Sequence, residues 1–146
     1  MFEIPNTYYR ISVKALIFDN QKRILFAKEE NEKWALPGGG IDWGESPQEA
    51  LAREIQEEMG LIATWIADYP AYFYSDQIDD GRWFAFVLYE AKLPHLNFTQ
   101  SDECVEIGFF TKEEALALNL FSDVRTFLEG IYNPKRHKKP HDYGSL

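Results

Sequence analysis

The sequence predicts a mixed sheet with helices on both sides, an architecture of the α/β or α+β class. Three observations carry this. Residues 8–18 alternate, with Ile11, Val13, Ala15 and Ile17 falling on one strand face. Residues 47–59 have helical periodicity, with Leu51, Ile55 and Met59 on one stripe. Further strand-like runs and two more helix starts follow. Periodicity alone does not choose between the two classes.

The elements follow in order. After the strand over 8–18, Asp19-Asn20-Gln21-Lys22 is a turn, and 23–28 reads as the strand's hairpin partner. Residues 29–33 form a polar loop. Trp34-Ala35-Leu36-Pro37 is a short strand entering the run Gly38-Gly39-Gly40. Ser46 is a preferred N-cap, Pro47 suits the first helical position and Glu49 completes a capping box, so a helix starts at about Pro47. Gly60 is its expected left-handed stop, closed by the apolar Leu61. Residues 62–74 are rich in aromatic and β-branched side chains and read as a bent strand broken at Pro70. A turn over 76–81 leads to a strand over 82–91 that pairs back on it. Residues 106–110 form a short strand. Thr111 then caps a helix opening Lys112-Glu113-Glu114. A last helix spans 122–131, with Val124, Phe127, Leu128 and Ile131 on one face. The chain has no internal repeat and no low-complexity segment.

The helix over 47–59 carries the chemistry. Glu54, Glu57 and Glu58 are related as i,i+3 and i,i+4, so they fall within an arc of about 100° beside the apolar stripe. Three carboxylates so close repel one another, and a cation relieves the repulsion. Mg²⁺ or Mn²⁺ suits them, because hard divalent ions take oxygen ligands and bind together with substrate phosphates. A glycine-rich loop leading into such a helix lets backbone approach phosphates closely.

The spacing Gly39-x5-Glu45-x7-Arg53-Glu54-Ile55-x-Glu57-Glu58-x-Gly60-Leu61 resembles a complete Nudix box, with all nine defined positions filled. That box is the signature of MutT-like hydrolases acting on nucleoside diphosphates linked to another moiety. It covers residues 39–61, and the flanks are compatible with the family's fold over about 8–131. The resemblance implies an α/β/α sandwich with a mixed sheet, hence an α/β fold. It implies that Glu54, Glu57 and Glu58 hold the metal, Glu54 and Glu58 foremost, with the Gly38 carbonyl as a further ligand. Arg53 and Glu45 support the loop–helix geometry, and Arg53 counts among the candidate catalytic residues. Some members take a general base from a later loop. Glu103 is the favoured candidate here and Glu106 the alternative, with the box glutamates, Glu54 above all, also able to serve. Substrate-binding candidates are Gly39, Gly40, Trp34, Trp43 and Arg82, the tryptophans as parts of an aromatic wall for which Tyr72, Tyr74, Trp83 and Phe84 also qualify.

The implied activity is metal-assisted attack of water on a diphosphate phosphorus. Residues 77–79, Gln-Ile-Asp, lack the proline and tyrosine that mark the ADP-ribose and dinucleoside polyphosphate subgroups. The motif of NADH pyrophosphatases is missing as well. A nucleoside triphosphate, ordinary or oxidised, remains by elimination. Two alternatives stand beside it: pyrophosphate removal at the 5′ end of RNA, and a nucleotide-binding regulator without catalysis.

Composition limits the rest. A chain of 146 residues suits one domain, taken as 1–132, followed by a basic, flexible tail over 133–146. A net charge of −9 argues against a general nucleic-acid or anionic-membrane binder. A small nucleotide is therefore the expected partner, with a homodimer left open. Cys104 is the only cysteine, so no intrachain disulfide forms and a cytoplasmic setting is expected. Its sequence neighbourhood offers no histidine, which reads as an inert residue rather than a nucleophile. The longest apolar run, 83–89, is too short to span a bilayer.

Overall fold

The computed structural model describes residues 6–137. Its strands are β1 (Arg10–Leu16), β2 (Ile24–Lys28), β3 (Trp34–Ala35), β4 (Gly38–Gly40), β5 (Trp65–Ile66), β6 (Tyr72–Gln77), β7 (Trp83–Lys92) and β8 (Glu106–Phe110). The helices are α1 (Pro47–Met59), α2 (Lys112–Leu116) and α3 (Ser122–Gly130). One sheet has the order β4-β1-β7-β5, with β6 also on β7. It is mixed: β1 runs parallel to β7 and antiparallel to β4, while β5 and β6 are antiparallel to β7. The other sheet, β3-β2-β8, is antiparallel.

Alternation along the strands divides the core in two. Val13, Ala15 and Ile17 of β1 and its exit, Leu25 and Ala27 of β2, and Tyr89 and Ala91 of β7 meet Leu51, Ile55 and Met59 of α1. The intervening Leu16, Phe18, Ile24, Phe26, Phe86 and Leu88 meet Val124, Phe127 and Leu128 of α3. This is the expected α/β/α arrangement, with α1 on one side and α2 and α3 on the other.

Two strand expectations are corrected. The strand over 8–18 and that over 23–28 form no hairpin ladder. The turn between them exists, held by Asp19, whose carboxylate accepts from the Gln21 and Arg23 amides and from Arg23 Nε at 2.7–2.9 Å. Only an isolated Phe18–Ile24 bridge joins the two strands, which then diverge into different sheets. Alternation reports that a segment is a strand; it does not report its neighbour. The bent strand over 62–74 is two short strands, β5 and β6, on either side of Pro70, both on β7. Because β6 runs on to Gln77, the turn shortens to 78–81, closed by the Gly81 amide on the Ile78 carbonyl at 2.9 Å.

Residues 133–137 belong to the folded body rather than to the tail expected from 133. Pro134–Arg136 form a 3-10 turn, and His137 is buried. Its Nε2 lies 2.7 Å from the Tyr72 hydroxyl and its Nδ1 3.0 Å from the Glu90 carboxylate. Residues 138–146 lie outside the described residues. Among the described residues, no helix is long and apolar enough to cross a membrane.

Candidate active site

Helix α1 is fixed at both ends and along one edge. The Ser46 hydroxyl accepts from the Glu49 amide at 3.1 Å, and Gly60 closes the helix at φ 66°. Leu51, Ile55 and Met59 are fully buried. The adjoining edge, with Glu54 and Glu58, therefore faces β4. Gly38 has φ 133°, and a Cβ there would run into the Val13 carbonyl. A Cβ on Gly39 would lie 2.7 Å from the Glu54 carboxylate. Only a glycine strand fits between β1 and the acidic edge of α1. The Gly38 amide donates to the Glu58 carboxylate at 3.3 Å.

Glu103 completes the cluster. Its loop is closed by paired 3.0 Å backbone bonds between Ser101 and Cys104, and the Ser101 hydroxyl donates to the Glu58 carbonyl at 2.6 Å. One ligand atom each from Glu54, Glu58 and Glu103 lies within 4.8 Å of the others. They line a pocket of about 230 Å³ together with Glu29 and Lys14. Among the described residues, Lys14 is the pocket's only cationic side chain, and its Nζ donates to the Gly38 carbonyl at 3.1 Å. A second pocket, of about 370 Å³, shares Lys14, Glu29, Ala35, Gly39 and Gly40 as a wall and is otherwise lined by Phe84, Phe86, Phe121, Ser12 and Asp123 among others.

The charges are strongly coupled. Burial pushes the Glu58 carboxyl up to about 8 against the opposing pull of Lys14 and the Gly38 amide, and Glu103 and Glu54 push it further. Glu29 and Asp123 are raised chiefly by burial, again against Lys14. Burial and the Glu58 charge push the Cys104 thiol up to about 12, so it is no nucleophile at neutral pH. Three clustered carboxylates, one of them deeply buried and short of positive charge, form a donor set that fits a hard divalent cation.

The other candidates separate by position. Arg53 is the clasp of the loop. It donates to Glu45 at 2.7 and 2.9 Å, to the Gly40 carbonyl at 3.0 Å, to Glu54 at 3.0 Å and to Glu57 at 3.2 Å. Its bonds to Glu45, and then those to Glu54, hold its pKa above the ordinary arginine value. Glu57 is engaged by Arg53 and stands outside the three-carboxylate cluster. Glu106 pairs with Lys28 at 3.3 Å and does not line the carboxylate pocket. Trp34 is a core residue, edge-on to Phe110 at 5.3 Å, and Tyr72 and Tyr74 are buried beside α3. Trp43 is fully exposed at the loop tip. Arg82 pairs with Asp80 at 2.8 Å, and it and Trp83 lie outside both of these pockets. Of the aromatic candidates only Phe84 lines the second pocket.

Lys14, Glu29, Asp123, Phe86 and Phe121 escaped sequence reasoning. The available signal was Lys14 itself, a cation set between Val13 and Ala15 in an otherwise apolar strand run.

Comparison with known proteins bears on the fold and the family. The NUDIX domain model matches residues 8–130. Among solved structures, the chain resembles a MutT protein from Methanosarcina mazei Go1, with 27% identity, 86% of this chain and 94% of that one covered, and a TM-score of 0.68. It also resembles a MutT NUDIX hydrolase from Burkholderia pseudomallei, with 25% identity, coverage of 86% and 100%, and a TM-score of 0.68. Among curated proteins, an RNA pyrophosphohydrolase of Ruthia magnifica subsp. Calyptogena magnifica is 46% identical over 59 residues, 40% of this chain and 33% of that protein. One from Vibrio cholerae is 44% identical over 54 residues, 36% of this chain and 31% of that protein. The aligned segments thus span about a third of these relatives' length. A model match over most of the chain, a shared fold and a filled box on a capped helix lead to one conclusion: the chain belongs to the NUDIX domain family.

Proposed function

We propose that the protein is a divalent-metal-dependent pyrophosphohydrolase cleaving a phosphoanhydride bond of a nucleotide 5′-triphosphate. The observation that carries this is the convergence of Glu54, Glu58 and Glu103 on one pocket beside the backbone of β4. Those three side chains would hold Mg²⁺ or Mn²⁺, which when bound supplies charge neutralisation and a more acidic water. Glu103, the exposed member, accepts the proton of the attacking water. Lys14 faces the phosphates as the pocket's one cation among the described residues. Arg53 holds Glu54 and the loop carbonyl of Gly40 in place rather than touching the reacting atoms. The neighbouring pocket offers phenylalanine faces to a base, with Asp123 as a polar anchor. A small-nucleotide substrate and a cytoplasmic setting belong to the same reading.

A second reading is favoured by the curated relatives: the 5′-triphosphate is that of an RNA end. One experiment tests both. The purified protein is given Mg²⁺ or Mn²⁺ with canonical and oxidised dNTPs, ADP-ribose, NADH, dinucleoside polyphosphates and 5′-triphosphorylated RNA, beside Glu58→Gln. Release of pyrophosphate or phosphate from a triphosphate by wild type, and a loss of about 10²–10⁴-fold in the variant, is the expected result. Equal turnover by both proteins would remove Glu58 from the mechanism.

A further inference from the structure

A third pocket, of about 450 Å³, lies where the N-terminal end of β1 meets the turn between β6 and β7. Its walls include Tyr8, Tyr9, Arg10, Arg82 and Trp83, and it shares no residue with the carboxylate pocket. Three large rings stand in solvent here, with Tyr8 64%, Tyr9 46% and Trp83 49% exposed. Tyr9 and Trp83 meet edge-to-face at 6.3 Å. A core role does not account for rings this exposed.

Two guanidinium groups accompany them. Arg10 is 3.9 Å from Asp42 and Arg82 is 2.8 Å from Asp80. All four side chains are about half exposed, where such pairs are weak and exchange readily for a phosphate. The pocket also adjoins the catalytic region. The parallel register sets Arg10 beside Phe84, a wall of the phenylalanine-lined pocket, and the Arg82 guanidinium lies 5.2 Å over the Phe84 ring. Arg10 also covers Gly40, which lines both inner pockets.

Exposed rings interleaved with arginines hold unpaired nucleotides: bases stack on the rings and phosphates meet the guanidinium groups. The sequence of pockets runs from carboxylates to phenylalanines to this platform. A strand has the same order, with its 5′-phosphates first, then the terminal nucleoside, then the next nucleotide joined through the 3′-oxygen. A second nucleoside linked through the phosphate chain would instead emerge on the carboxylate side. We propose that the Tyr8–Tyr9–Trp83 pocket seats the nucleotide following the 5′-terminal one of a single-stranded RNA. This rests on the RNA reading of the catalytic pocket.

The test compares 5′-triphosphorylated mono-, di- and tetranucleotides on wild type, Trp83→Ala, Tyr8→Ala and Trp83→Phe. Wild-type kcat/KM is expected to rise about tenfold or more from mono- to dinucleotide. The rise disappears in the two alanine variants, returns in Trp83→Phe, and mononucleotide turnover stays unchanged. Equal kcat/KM for all lengths, or a rise that survives both alanine variants, overturns the proposal. So does a homodimer in sedimentation that Trp83→Ala dissociates with no effect on length dependence, which would make the patch a self-association surface. Anisotropy of a labelled 5′-monophosphorylated tetranucleotide on Glu58→Gln, with and without Trp83→Ala, needs no turnover. Trp83-dependent binding there, in a protein that hydrolyses nothing, supports the platform and refutes the catalytic reading instead.

Discussion

Burial pushes the Glu58 carboxyl from an ordinary 4.5 up to about 8, and that shift ties stability to pH. Between those two values the metal-free folded chain holds a proton that the unfolded chain has lost. The contribution of this group is therefore fully present below about pH 4.5 and is lost as pH rises through about 8. In EDTA, the melting temperature should fall from about pH 5 to about pH 8 more steeply for wild type than for Glu58→Gln. Saturating Mg²⁺ at the upper pH should restore the wild type alone. Lys14 makes the complementary case. Lys14→Met should lower kcat/KM about ten- to a hundredfold, while calorimetry shows Mn²⁺ still binding; loss of Mn²⁺ binding would make Lys14 part of the metal site rather than of the phosphate site. These two residues differ in how legible they were. Glu54 and Glu58 share one helix, so their spacing alone puts them on one edge. Lys14 reaches them only because β1 pairs with β4, and Glu103 only because its loop is bonded back to the Glu58 carbonyl.

At the scale of elements, what the sequence encoded locally survived, and of the two expected strand pairings only that of β6 with β7 did. The limits of α1 followed from Ser46, Pro47 and Gly60, each of which acts within a few residues of itself. The hairpin expected from residues 8–28 failed because β1 and β2 each find better partners far along the chain. Aromatic assignments failed for a related reason. Trp34 and Tyr74 have the composition of a binding wall, and only the packing of α3 on the sheet makes them core. The stop of α1 offers a direct check. Gly60 is at φ 66°, and a Cβ there would sit 2.9 Å from the Thr99 hydroxyl oxygen. Gly60→Ala should cost about 1–2 kcal/mol, read as a lower urea midpoint at unchanged slope; an unaltered midpoint would mean that the helix ends without needing that conformation.

Over the whole molecule, a chain of net charge −9 concentrates carboxylates at one place and brings Tyr8, Tyr9, Trp83, Arg10 and Arg82 together at another. Overall charge, the one electrostatic quantity available from composition, averages over both. The segment over 133–137 was likewise misjudged from composition: its basic side chains suggested a solvated end, yet buried His137 ties it to Tyr72 and Glu90 on two strands. The glycine strand has the widest consequence. Its backbone is at once a rung of the sheet, through Ala15 to Pro37 and Ile41 to Ile11, and the floor of the carboxylate pocket, through Gly38. Bonded to β1 on both flanks, this edge strand should open only together with β1. The Ala15 and Ile41 amides should exchange with solvent deuterium only at the free energy of global unfolding, and faster exchange at either would show the floor opening alone. A partly unfolded form of this chain would then be inert rather than sluggish, because the carboxylate pocket and the sheet edge that floors it would be lost in the same event.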